Sequence, residues 1–156
     1  MVINVLTDND NRANADVRST VGKNGGKMAE QGSVLFMYDR KGKLEVPSGN
    51  DVDEEALLEA AIEFDVEDFE LIPPSGDDED GEEPSTVYVE PQDTNNMFEA
   101  LKSMDGLNDL EIKMELTYVT KAPVEVTDDD FEANMKIIDA LEELDDVDSV
   151  EHNMSN

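Results

Sequence analysis

The stretch from Val2 to Tyr38 constrains this chain most, because the spacing of its apolar residues switches from strand to helix and back. Val2 to Leu6 is a short apolar run of strand type. Thr7, Asp8, Asn9, Asp10 and Asn11 follow at once. Their side-chain oxygens can accept hydrogen bonds from the free N–H groups of a helix's first turn, so a helix is expected to start here. Ala13, Val17 and Val21 then recur every four residues and give that helix one apolar face. Gly25-Gly26 ends it, since glycine enters the left-handed conformation of a helix C-cap without steric cost. Gly32-Ser33 turns the chain into a second expected strand, Val34 to Tyr38.

The rest of the chain alternates in the same way. Asp39-Arg40-Lys41-Gly42-Lys43 reads as a basic turn, and Leu44-Glu45-Val46 begins a strand closed by Pro47-Ser48-Gly49-Asn50. Asp51 or Asp53 caps a helix whose Ala56, Leu57, Ala60, Ala61 and Phe64 share one face. Phe69 to Ile72 is a short strand, residues 73–86 an acidic loop without periodicity, and Thr86 to Val89 a strand again. Asp93 or Asn95 caps a helix with a stripe of Met97, Phe98, Leu101 and Met104, stopped by Gly106. Ile112, Met114, Leu116 and Tyr118 alternate as a strand with one buried face should. Lys121 to Val126 reads as a linker. Thr127 or Asp128 caps a last helix with Phe131, Met135, Ile138, Leu141 and Leu144 inward, before a closing strand, Val147 to His152, and a frayed tail from Asn153. The inner section, Leu44 to Tyr118, is thus strand, helix, strand, strand, helix, strand, the ferredoxin-like pattern. The outer parts have enough elements for a second sheet of that kind, and periodicity allows either an inserted domain or two domains in series.

Two separated motifs carry a family resemblance. Leu6-Thr7-Asp8-Asn9 with Asn11-Arg12, Val17-Arg18, Gly25-Gly26 and Gly32-Ser33-Val34 form the first. Ile138 to Glu142, Asp145-Asp146-Val147, Val150 and His152-Asn153 form the second. Together they resemble the YebC/PmpR family over nearly the whole chain. That family includes bacterial proteins described as transcriptional regulators and the mitochondrial translational activator of cytochrome c oxidase. The resemblance implies an α+β architecture of two ferredoxin-like domains, one inserted into the other. Residues 1–42 with 119–156 would form the discontinuous domain and 43–118 the inserted one. It also implies a non-enzymatic role in gene expression, through DNA binding or through activation at the ribosome, notably on proline-rich nascent chains. The chain lacks the family's basic helical N-terminal domain. Met1 abutting a strand is what a fragment, a truncated gene model or a divergent paralogue would show.

Charge decides which partners fit. The chain holds 41 acidic and 11 basic residues, net -30. Residues 1–43 carry seven Lys/Arg against five Asp/Glu, whereas the remainder carries four against 36. Such a chain repels phosphate backbones as a whole. A local basic patch can still act, because screening confines distant charge to about 8 Å at physiological salt. Arg12, Arg18, Lys23, Lys27, Arg40, Lys41 and Lys43 are therefore the candidate contacts for a ribosome, its RNA, or DNA. No aromatic residue is interleaved with them, which argues against base stacking. Thr7, Asp8, Asn9, Asn11, Gly25, Gly26, Gly32 and Ser33 read as motif residues with structural duties. A basic protein held by the acidic surface is the alternative partner.

Chemistry of other kinds finds little support. No cysteine is present, and His152 is the one histidine, so neither thiolate chemistry nor a nucleophile triad is indicated. Asp8-Asn9-Asp10-Asn11 resembles the start of a calcium loop, yet Ala13 stands where such a loop needs glycine. No metal or cofactor is expected. The absence of a long apolar run or a basic apolar leader points to the cytoplasm or an organelle matrix.

Overall fold

The computed structural model describes residues 1–74 and 83–155. The chain divides into two compact units, Met1–Asp39 with Tyr118–Asn156, and Arg40–Thr117. Both mix helices with antiparallel strand pairs.

The continuous unit is built on β2 (Tyr38–Val46), α2 (Glu54–Glu63), β3 (Phe69–Ile72), β4 (Ser85–Val89), α3 (Thr94–Ser103) and β5 (Lys113–Thr120). Its sheet has the order β3-β4-β2-β5, and β4 runs antiparallel to both its neighbours. Register sets Leu44 opposite Val87 and Leu71 opposite the same Val87, which carries the apolar residues of three strands to one face. Leu44, Val46, Val87 and Val89 are fully buried there under Leu57 and Ala61 of α2 and Met97, Ala100 and Leu101 of α3. Each of the valine, leucine and methionine side chains contributes about 1.5–3 kcal/mol by leaving water. Asp53 starts α2 by accepting the Ala56 N–H at 2.8 Å. Ala56, expected on the inward face, is exposed.

Three expectations need correction in this unit. Asp39 to Lys43 is not a turn but part of β2. Gly42 sits in the ladder opposite Val89, and a Cβ there would fall 2.0 Å from the Thr94 Oγ1. The glycine answers a helix–strand approach rather than a change of direction. Met114 and Leu116 are 45% and 48% exposed, although their alternation predicted burial. They belong to β5, an edge strand with a neighbour on one side only. The loop expected over 73–86 is shorter at its far end, since β4 begins at Ser85. Its acidic centre, residues 75–82, lies outside the described residues.

The discontinuous unit carries β1 (Val2–Val5), α1 (Asp10–Lys23), β6 (Val124–Glu125), α4 (Asp128–Glu142), β7 (Val147–Glu151) and β8 (Met154–Ser155). β1 pairs antiparallel with β7, the last strand but one, with Ile3 opposite Val150. Val17 and Val21 of α1 meet Ile137, Ile138 and Leu141 of α4 over Val150. Ile137 was not expected inward, and Phe131, expected there, is half-buried with its ring edge-on to His152 at 6.4 Å.

Here too the structure corrects the reading. Val34 to Tyr38 is not a strand. Leu35–Met37 form a 3-10 turn, and β2 starts only at Tyr38. A short apolar run fixes no period, and Phe36, 75% exposed, shows that this run is not a buried strand. The Lys121–Val126 linker and the frayed tail instead meet: β6 and β8 pair in parallel, with the Val126 N–H donating to the Ser155 carbonyl at 2.9 Å. The described strands of this unit thus form two two-stranded pairings in place of a second four-stranded sheet.

Candidate functional site

The motif residues at the head of α1 build a clasp. Asn9 caps the helix, its side chain accepting the Arg12 N–H at 3.1 Å, while Thr7 Oγ1 accepts the Asn9 N–H at 3.0 Å. Asn11 lies exposed in the first turn. With Arg12 on the same turn as the cap, its guanidinium reaches back to Asp8 at 3.1 Å and across to Asp146 at 2.9 Å. Two of its nitrogens engage the Asp146 carboxylate, the bidentate geometry that suits a planar guanidinium. The Leu6 N–H donates to the Asp146 carbonyl at 3.0 Å, so one residue near the C-terminus holds the N-terminal motif by backbone and side chain. Hydrogen bonding to Arg12 above all, then to Thr7, together with the guanidinium charge, holds the Asp146 carboxyl below the usual range despite desolvation. The same bonds push Arg12 upward. An open cleft of about 430 Å³ lies alongside, lined by Arg12, Asp16, Val17, Glu143 and Asp145 among others.

The glycine motifs serve the backbone. Gly25 takes φ +81°, its N–H donates to the Gly22 carbonyl, and the Gly26 N–H donates to the Val21 carbonyl at 2.9 Å. This pair of bonds is the Schellman closure of a helix. Gly32 takes φ +77° before the 3-10 turn, and the Ser33 N–H donates to the Glu30 carbonyl.

The seven basic candidates separate into two groups. Arg12 is committed to Asp8 and Asp146. Lys41 pairs with Glu90. Lys43 lies between Glu45 at 2.7 Å and Glu115 at 3.5 Å. Burial of its ammonium favours proton loss, but the Glu45 hydrogen bond and the charges of Glu45 and Glu115 outweigh that and raise it. Arg18, Lys23, Lys27 and Arg40 are exposed, and none takes part in a salt bridge or side-chain hydrogen bond among the described residues. Arg18, Lys23 and Lys27 belong to α1 and the loop after it, whereas Arg40 belongs to the continuous unit. The sequence groups all seven, because the partners Asp146 of Arg12 and Glu90 of Lys41 lie far away in the chain. Only Asp8 and Glu45, beside Arg12 and Lys43, are local partners.

Two other groups have structural surroundings. His152 Nδ1 accepts the Met154 N–H at 3.2 Å. The Tyr38 hydroxyl is buried with no hydrogen-bond partner among the described residues, and burial first, then the Glu151 charge, pushes it up. Among the described residues no three His, Asp or Glu side chains converge as a metal site requires.

Comparison with known proteins gives this arrangement a context. Residues 1–154 match the family model described as the TACO1/YebC second and third domain. A probable transcriptional regulatory protein of Chlamydia felis is 40% identical over 155 residues, which is 99% of this chain and 60% of that protein. One from Kosmotoga olearia is 38% identical over 152 residues, 96% of this chain and 54% of its own length. The crystal structure of a conserved hypothetical protein, Aq1575 of Aquifex aeolicus, superposes with a TM-score of 0.75 at 33% identity, covering 97% of this chain and 57% of that one. The chain therefore spans little more than half the length of the proteins it matches.

Proposed function

The chain belongs to the TACO1/YebC family, spanning its second and third domains, and on that premise we propose that it is a non-enzymatic regulator of gene expression whose exposed cations engage the phosphates of ribosomal RNA or DNA. The supporting observation is the set Arg18, Lys23 and Lys27. In a chain with 41 acidic residues against 11 basic ones, these three stay exposed and unpaired among the described residues while Arg12, Lys41 and Lys43 are neutralised. Cations left free in so acidic a chain suit a polyanion. Arg40 is a further contact. Residues 40–117 we read as a ferredoxin-like domain inserted into the outer one, because the order β3-β4-β2-β5 is that of a split βαβ sheet. Among the described residues no helix is long and apolar enough to cross a membrane. The working compartment in this reading is the cytoplasm or an organelle matrix.

Co-sedimentation with ribosomes, beside a mobility shift with duplex DNA, tests the proposal. Each is run at low and near-physiological salt. Each phosphate contact adds a salt-dependent increment to binding. Binding of the unaltered chain that Arg18→Glu/Lys23→Glu/Lys27→Glu abolishes supports the reading. Binding unchanged by that triple reversal sinks it.

A second reading, an acidic adaptor for a basic protein, is favoured by a different observation. From Leu44 to Leu101 the chain contains no lysine or arginine. Acid therefore far outweighs base over this stretch, and the lysines that pair with its Glu45 and Glu90 come from outside it.

A further inference from the structure

We propose that the outer face of α2 is a docking site for a basic amphipathic helix of another protein, with Leu58 and Ile62 as its apolar anchors. This deepens the adaptor reading and stands apart from the cationic face of α1. Among the described residues, α2 is the one α-helix of the four that turns large apolar side chains to solvent: Leu58 is 52% and Ile62 67% exposed. They lie four residues apart, so they form one stripe along the helix. The adjoining face of α2 is fully engaged, with Leu57, Ala60 and Ala61 in the core. An apolar arc that runs on past the core face in this way needs a second cover beside the first. The sheet and α3 supply one of the two.

Charge complementarity identifies the other. Glu55, Glu59 and Glu63 recur every four residues beside the Leu58–Ile62 stripe, and all three are exposed. Like charges at this spacing oppose helix formation. Glu63 also stands in the last turn of α2, at the negative end of the helix dipole, and no basic residue lies in that turn. No salt bridge among the described residues neutralises any of them. A partner helix bearing two apolar residues at i and i+4, flanked by Lys or Arg, would cover the stripe and neutralise the row together. A second copy of this chain would set the glutamate row against another glutamate row, so self-association is disfavoured.

The test uses the full chain and a labelled helical Leu/Lys peptide of about 18 residues, long enough to hold a helix, followed by fluorescence anisotropy. A Leu/Glu peptide of the same pattern is the control. Leu58→Ser/Ile62→Ser removes the anchors, and Glu55→Gln/Glu59→Gln/Glu63→Gln removes the row. Glu132→Gln/Asp139→Asn/Glu142→Gln removes the same charge from the exposed side of α4. The proposal expects each α2 variant to weaken Leu/Lys binding at least about tenfold, equivalent to about 1.4 kcal/mol, and the α4 variant to leave it unchanged. Equal weakening by the α2 and α4 charge variants would reduce the effect to bulk charge and overturn it. So would full binding by the Leu58→Ser/Ile62→Ser variant. Sedimentation that shows a dimer lost on Leu58→Ser/Ile62→Ser assigns the face to a second copy, which also overturns it. None of these outcomes depends on ribosome or DNA binding by the α1 cations.

Discussion

Asp65 shows how much of this structure is decided by single residues. The ends of α1 and α2 use the same closure. In α2 the Val66 N–H donates to the Ala61 carbonyl at 2.9 Å and the Asp65 N–H to the Ile62 carbonyl at 3.3 Å, as Gly26 and Gly25 do in α1. The left-handed residue is Gly25 in one helix and Asp65, at φ 57°, in the other. A side chain in that conformation brings its Cβ close to the next carbonyl oxygen, at a cost of about 1–2 kcal/mol, which aspartate reduces but does not remove. Asp65→Gly should therefore raise stability by about 1 kcal/mol, read as a higher denaturant midpoint with an unchanged slope. A destabilised variant would mean that the Asp65 carboxylate makes a stabilising contact at the helix end. The same residue explains why the end of α2 was hard to read. Glycine announces a C-cap in sequence, and aspartate does not.

At the scale of elements, legibility followed the strength of each periodic or capping signal. α1 was readable to its buried residues because Asn9, the Ala13–Val17–Val21 spacing and Gly25 mark its start, face and end. α3 and α4 were nearly as clear. The misread segments are those where a short-range cue had a long-range cause. Gly42 among Arg40, Lys41 and Lys43 looked like a turn, yet the glycine is there because Thr94, fifty-two positions on in a different element, comes down onto β2. The pairing of β6 with β8 rests on two residues from each strand, too few to show a period. The candidate site was legible as composition, seven cations near the N-terminus, but which of them are free was set by ion pairs, two of them to the distant Asp146 and Glu90. The Gly42 contact yields a prediction. Gly42→Ala places a methyl 2.0 Å from Thr94 Oγ1 and 2.9 Å from its Cβ, so α3 or β2 must shift. Overpacking of this kind costs about 1–3 kcal/mol. Thr94→Ala removes the nearest atom and should recover part of that loss in the double variant, although it also removes the hydroxyl bond to the Pro91 carbonyl. Strictly additive losses in a double-mutant cycle would show that the two residues do not press on one another.

The whole molecule carries net -30, and one clasp joins its two ends. Self-repulsion at that charge favours the expanded, unfolded chain. Raising ionic strength from about 0.01 to 0.1 M shortens the screening length from about 30 to 10 Å, so the melting temperature should rise with salt. The Arg12–Asp146 pair acts in the opposite sense, since its attraction weakens under the same screening. Comparing the unaltered chain with Asp146→Asn separates them. Both should gain stability with salt, while the gap between them narrows. Acid gives the pair its own signature. Asp146 is held below its ordinary value by Arg12, so the folded state binds its proton less readily than the unfolded state does. Its contribution is therefore complete above the ordinary aspartate range of about 3.9 and is lost as pH falls through the depressed folded value. The stability difference between the unaltered chain and Asp146→Asn should be constant from neutral pH down to that range and close below it. A gap that persists in strong acid would mean that something other than the charge of Asp146, such as the hydrogen bonding of its neutral side chain, separates the two chains, and that the ion pair with Arg12 does not.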